Sequence, residues 1–235
     1  MAQPPSASSG GAAPLSLVQR FFGILTSPKA TFESVVSWPR WGGMLAVTTL
    51  VTALTVFAFL STEVGHDIVM KQQVEAGAPA AQAEMAVKVA AYVAPAFMLI
   101  GIPLFALAIS GILLGVFAIT GGSASFKQVL SVYVHSGVVG TVTGVVNAVI
   151  NYFMATDTNV TSLKGIGNAF AEKGLMAGFF GALDLTVFLG LFVLAIGLAV
   201  LYRRRTAPVF VSLSAVYLVI ALVIGAVKAA FAGGS

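Results

Sequence analysis

Two ionisable side chains fall inside long apolar stretches of this chain, where burying charge is costly and a functional role is the first hypothesis. His135, two residues after Tyr133, has the chemistry of a proton relay, a metal ligand or a lipid-headgroup contact. The favoured reading is plainer: a neutral imidazole hydrogen-bonded to a neighbouring helix. Asp184 is the second. At the start of an apolar run its carboxylate suits a helix N-terminus, where the dipole favours negative charge. The sharper alternative sets it against Asn147 and Asn151, four apart on one helix face, in a polar cavity. Together His135, Tyr133, Asn147, Asn151 and Asp184 form the candidate polar site. A metal centre is not expected, since His66 is the only other histidine and the chain has no cysteine. Gly165-Ile166-Gly167 has neither a third glycine nor a preceding strand, so it is no dinucleotide fingerprint. With no serine, histidine and acid grouping and no phosphate loop, the chain is expected to be non-enzymatic, with no cofactor.

These residues sit in an unusual solvent. Of 235 residues, 58% are hydrophobic and 9% charged, against roughly a quarter charged in a soluble domain. That composition predicts an all-α integral membrane protein. The net charge of +4 sits at the ends of apolar runs, so nucleic acid is not an expected partner. Charge-free runs occupy 41–62, 89–126, 128–156, 185–202 and 206–227, and about 20 apolar residues cross a bilayer. Five transmembrane helices follow, near 41–61, 97–119, 128–152, 183–202 and 208–229. The run 89–126 reads as one helix with an apolar lead-in, bent at Pro95 or Pro103 and ended by Gly121-Gly122. The apolar stretch 174–183 reads as a lead-in to the fourth span.

Positive charge sets the orientation. A cytoplasmic N-terminus puts Arg20, Lys29, Arg40, Lys127, Arg203, Arg204 and Arg205 inside, and Lys71, Lys88, Lys164, Lys173 and Lys228 outside. The C-terminus is then extracytoplasmic, in the inner membrane if the host is bacterial. Arg203, Arg204 and Arg205, with Arg40 and Lys29, are expected to anchor the topology and to contact anionic lipid.

Ahead of the spans, 1–14 reads as a disordered tail poor in large apolar residues. Residues 15–40 read as an amphipathic cytoplasmic collar of two short helices, the first with a stripe of Leu15, Val18, Phe21, Phe22 and Leu25, the second starting at Ser27-Pro28. The five-span domain then covers 41–231. Gly111 with Gly115, and Ser136 with Gly140 and Gly144, set small residues on one helix face. They are expected to mediate helix packing within the chain, with a homo-oligomer interface as the alternative.

The string Arg20 to Phe32 (RFFGILTSPKATF), with Val35-Val36 and Pro39-Arg40-Trp41 after it, resembles the entry motif of bacterial Yip-domain proteins. Gly121-Gly122 with Ser125 to Leu130 resembles that family's loop into its third span. Leu183-Asp184-Leu185 with Leu194 to Leu198 resembles its fourth span. The resemblance covers roughly 15–230 and implies a polytopic protein with a cytoplasmic N-terminus. Eukaryotic relatives work in membrane traffic with Rab/Ypt-type GTPases, whereas bacterial members have no agreed activity. The functional expectation is a membrane organiser or scaffold acting through lipids and through other copies or other membrane proteins. The alternative is a transporter or scramblase of lipids or small solutes.

Overall fold

The computed structural model describes residues 14–157, 159–170 and 174–232. All of the tail expected over 1–14 except Pro14 lies outside the described residues. Among the described residues there are ten helices. In order they are α1 (Leu17–Thr26), α2 (Pro28–Ser37), α3 (Gly42–Leu60), α4 (Glu63–Glu75), α5 (Ala80–Ile119), α6 (Phe126–Met154), α7 (Lys164–Phe170), α8 (Leu175–Gly181), α9 (Leu185–Tyr202) and α10 (Thr206–Ala232). Five of them, α3, α5, α6, α9 and α10, are long and apolar enough to cross a membrane.

Local chemistry sets the helix ends. Ser16 and Ser125 start α1 and α6 with the same reciprocal cap. Each hydroxyl accepts from the backbone N–H of the glutamine three residues on (3.2 and 3.3 Å), and that glutamine's Oε1 accepts from the serine N–H (2.8 and 2.9 Å). Pro28 opens α2, where its missing N–H costs no helical hydrogen bond. Past the end of α5, Gly121 adopts φ +78°, the left-handed turn that aims the chain into α6. α5 continues through Pro95 and Pro103 as one helix of 40 residues, about 60 Å at 1.5 Å per residue. That is twice a hydrocarbon core, so its first half, packed on α4, extends past the spans.

α6 is the axis of the bundle, and α1, α2, α3, α5 and α9 all pack on it. The largest fully buried side chains come from that packing: Ile24, Phe32, Met44, Leu130, His135 and Leu198. They gather where the collar closes the bundle. Phe32 of α2 enters a notch at Gly197 of α9, where a Cβ would lie 2.8 Å from its ring and 2.6 Å from Val132.

Along α1, Val18, Phe22 and Leu25 of the apolar stripe are exposed and Phe21 packs against the core, while the bundle face carries Arg20 and Ile24. Two expectations need correcting. The stretch 174–183 is not a lead-in to the fourth span. It forms α8, which starts after Gly174 (φ +97°), packs on α10 and ends before Asp184 begins α9. The glycines expected to seat helices within the chain do not: at Gly111, Gly115, Gly140 and Gly144 an added methyl would meet nothing within 4 Å. Close approach occurs at Gly197 and between Gly178 and Gly225, where the added atom would be 2.8 Å from the other glycine's Cα.

Candidate functional site

A groove of about 730 Å³ runs beside α6, with α3 and α5 on one wall and α9 on the other. Its floor is glycine. Gly137, Gly140 and Gly144 are exposed, and a methyl group at any of them would meet nothing within 4 Å. Along α6 the lining extends from Tyr133 to Asn151, about 27 Å of helix. α3 contributes Thr48, Thr52 and Thr55, which recur at helical spacing on one face. At the end away from the collar the wall is completed by Asn147, Asn151, Asn159 and Thr186. Among the described residues no lysine, arginine, aspartate or glutamate lines the groove.

The five residues of the candidate site are distributed over three places. Tyr133, Asn147 and Asn151 line the groove, as does Ser136. Asn147 and Asn151 are each only 8% exposed, and Asn151 Oδ1 is buried with no hydrogen-bond partner among the described residues.

His135 projects elsewhere, because two residues along a helix turn the side chain to another face. It is fully buried against the collar. Its Nδ1 lies 2.7 Å from the Ser131 carbonyl oxygen and its Nε2 lies 3.1 Å from Nη1 of Arg20. A carbonyl only accepts and a guanidinium only donates, so the ring is neutral with its proton on Nδ1. Arg20, 7% exposed, also donates from Nη1 to the Arg40 carbonyl at 2.7 Å. Burial first, and the Arg40 charge second, draw the Arg20 pKa below its ordinary value. Sequence reasoning missed this contact. The signal was present in the spacing of Leu17, Arg20 and Ile24, which puts an arginine on the bundle face of a helix that must meet the lone intramembrane histidine.

Asp184 is the N-cap of α9, accepting at Oδ1 from the Thr186 N–H at 2.8 Å and the Thr186 hydroxyl at 2.7 Å. Thr161 donates its hydroxyl to the same oxygen at 2.7 Å, and Asn159 donates Nδ2–H to Oδ2 at 3.2 Å. Burial alone would raise this carboxyl's pKa, but the hydrogen bonds from Thr186, Thr161 and Asn159 outweigh it and hold the group below its ordinary value. The backbone is fastened as well. The Tyr217 hydroxyl accepts from the Asp184 N–H at 3.1 Å and donates to the Ala182 carbonyl at 2.9 Å. Asp184 therefore stands one residue behind the groove mouth, touching Asn159 and Thr186 rather than Asn147 and Asn151.

The basic anchors are at the collar end. Arg203, Arg204, Arg205, Arg40 and Lys29 are all exposed. Arg204 closes α5 by donating to the Thr120 carbonyl at 2.7 Å and its hydroxyl at 3.1 Å, with its guanidinium 5.5 Å from the Phe117 ring centroid. A polar cleft of about 590 Å³ separates Arg203 and Arg204 from Glu33 of α2. His66 is exposed on α4. Among the described residues no group of three His, Cys, Asp or Glu could hold a metal ion.

Residues 22–227 match the family model described as the Yip1 domain. The chain is similar to membrane protein YknW of Bacillus subtilis (strain 168), 27% identical over 183 residues that cover 75% of this chain and 76% of the relative. No solved structure matches it.

Proposed function

The chain belongs to the Yip1 domain family of membrane proteins, and from that premise we propose that it is a non-enzymatic membrane organiser that holds a lipid in the groove beside α6. The groove itself carries the proposal. It has the volume of a small-ligand site, about 300–1,000 Å³, and its walls are uncharged. It lies along a spanning helix, and its glycine floor is left uncovered because α3 and α9 pack on α6 rather than on each other. Bilayer lipid is the molecule that such an opening meets. The collar supplies the second surface of an organiser, since Val18, Phe22, Leu25 and Trp38 are exposed around it.

The test is photolabelling of the full-length protein in vesicles whose lipids carry a diazirine in the acyl chain, with the labelled peptides mapped. Labels are expected on α3 and α6, and Gly140→Leu, whose Cβ would meet no protein atom within 4 Å and whose side chain would occupy the groove, should remove most of them. Labelling that ignores Gly140→Leu would sink the proposal.

Transbilayer lipid movement is the second reading, favoured by the groove's length, about 27 Å of helix beside a hydrocarbon core of roughly 30 Å. Vesicles with a fluorescent lipid decide between the two. Movement between leaflets that Asn151→Leu and Gly140→Leu both slow identifies a transporter, and no movement beyond empty vesicles leaves the organiser.

A further inference from the structure

At the collar end, away from the groove, a second opening carries opposite charges that do not meet. From it we infer a binding site for a zwitterionic head, with a phosphate ester and a primary ammonium on the same molecule. The cleft of about 590 Å³ has Arg203 and Arg204, just past the end of α9, on one wall and Glu33 of α2 on the other. Among the described residues none of the three is in an ion pair, and the Glu33 carboxylate does not pair with Lys29, four residues back on α2. The carboxylate offers acceptors to an ammonium, and the guanidinia offer donors that match a phosphate. A purely anionic head would satisfy the arginines and bring like charge to Glu33. A head with both charges uses both walls.

Both walls are held in place by the protein itself, which lowers the cost of ordering them around a ligand. Phe32, next to Glu33, is buried in the notch at Gly197. Tyr202, next to Arg203, stacks on Phe117 with ring centroids 4.2 Å apart. Arg204 uses Nη2 on Thr120 and keeps Nε and Nη1 without a partner among the described residues. Arg203 takes φ +53°, a left-handed position where glycine is the ordinary residue. A guanidinium is thus kept at the edge of the cleft against the preference of the backbone. The lining joins the end of one span, at Tyr202, to the start of another, at Gln128, which is the level of lipid headgroups. Phosphatidylethanolamine presents this head in a bilayer, and glycerophosphoethanolamine presents it in water.

The experiment titrates short-chain phosphatidylethanolamine, phosphatidylcholine and phosphatidylglycerol into the purified full-length protein in detergent and reads apparent affinity from the rise in melting temperature. The tails are identical, so differences report the head. Phosphatidylethanolamine is expected to bind about fivefold more tightly than either of the others, the upper range for one exposed charge pair. Glu33→Gln should bring phosphatidylethanolamine level with phosphatidylcholine, and because the carboxylate has no ion-pair partner to lose, this variant should melt like the wild type without lipid. Arg203→Gly, which relaxes the left-handed backbone, should weaken phosphatidylethanolamine binding, whereas Gly140→Leu, in the groove, should leave the preference intact. Stabilisation by glycerophosphoethanolamine as well supports the site with a free ligand as its source, and stabilisation by the lipid alone supports it with the bilayer as the source. Equal wild-type affinities, a preference for phosphatidylglycerol, or a preference that survives both Glu33→Gln and Arg203→Gly overturns the inference. A preference lost in Gly140→Leu also overturns it, by moving the selection to the groove.

Discussion

His135 and Arg20 each solve the other's problem. A neutral imidazole in the bundle needs a donor for Nε2, and a guanidinium on the buried face of α1 needs acceptors. Arg20→Leu would strand the buried Nε2, and an unpaired buried polar atom costs about 1–3 kcal/mol. Replacing both partners by apolar groups is much cheaper, so Arg20→Leu with His135→Leu should recover most of that loss. Denaturation of the purified protein followed by circular dichroism measures the cycle, and a double variant no better than the single would mean the contact contributes nothing. Asp184 makes a separate case. Removing an N-cap costs about 1 kcal/mol, so Asp184→Ala should lower the melting temperature measurably at neutral pH. The folded protein holds this carboxyl below the ordinary aspartate value of 3.8. Its stabilising contribution is therefore complete above 3.8 and is lost as pH falls through the lowered folded value. The gap between wild type and Asp184→Ala should thus be constant from neutral pH down to mildly acidic pH and close only in stronger acid.

At the scale of elements, glycine position matters more than glycine spacing. Gly197 receives Phe32, and an added side chain there would collide with that ring and with Val132. Gly197→Val should therefore loosen α2 from α9, at about 1–3 kcal/mol for overpacking. Gly140→Ala meets nothing and should be neutral or slightly stabilising, because alanine is the better helix former. Thermal melts of the two variants check the pair, and equal destabilisation would contradict it. The sequence pattern had pointed the other way. Small residues four apart mark a helix face, yet whether a partner helix or lipid covers that face depends on tertiary placement, and here it is the open floor of the groove. Charge spacing was a stronger guide: five runs free of Asp, Glu, Lys and Arg correspond to five spans because a bilayer tolerates charge only at its borders. The α8 turn was harder to see, since 174–183 is apolar enough to prolong a span. Only the short break at 182–184, where Asp184 caps the next helix, separates it from α9. The threonine column of α3 was legible at its helical spacing but carries no charge to draw attention.

Across the whole molecule the two ends differ in kind. At the collar end Ile24, Phe32, Met44, Leu130 and Leu198 are closely packed, with Lys127 in the first turn of α6 and Arg203 to Arg205 between α9 and α10. Toward the other end the packing opens into the groove, with the Asp184 carboxylate behind Asn159 and Thr186 at its mouth. Lysine and arginine near span ends favour the cytoplasmic side, and short loops weigh most. The three arginines between α9 and α10 fill such a loop, so the collar end should be cytoplasmic and the groove mouth at Asn159 should face out. The chain has no cysteine, which makes single-cysteine labelling clean. Ser123→Cys, in the loop entering α6, should resist a membrane-impermeant maleimide on intact cells and react after permeabilisation, while Val160→Cys should react in both. The reverse pattern would invert the molecule and turn the groove mouth toward the cytoplasm. Replacing Arg203, Arg204 and Arg205 by alanine should produce a mixed pattern, because the remaining inside charges, Arg20, Lys29, Arg40 and Lys127, no longer outnumber Lys71, Lys88, Lys164, Lys173 and Lys228.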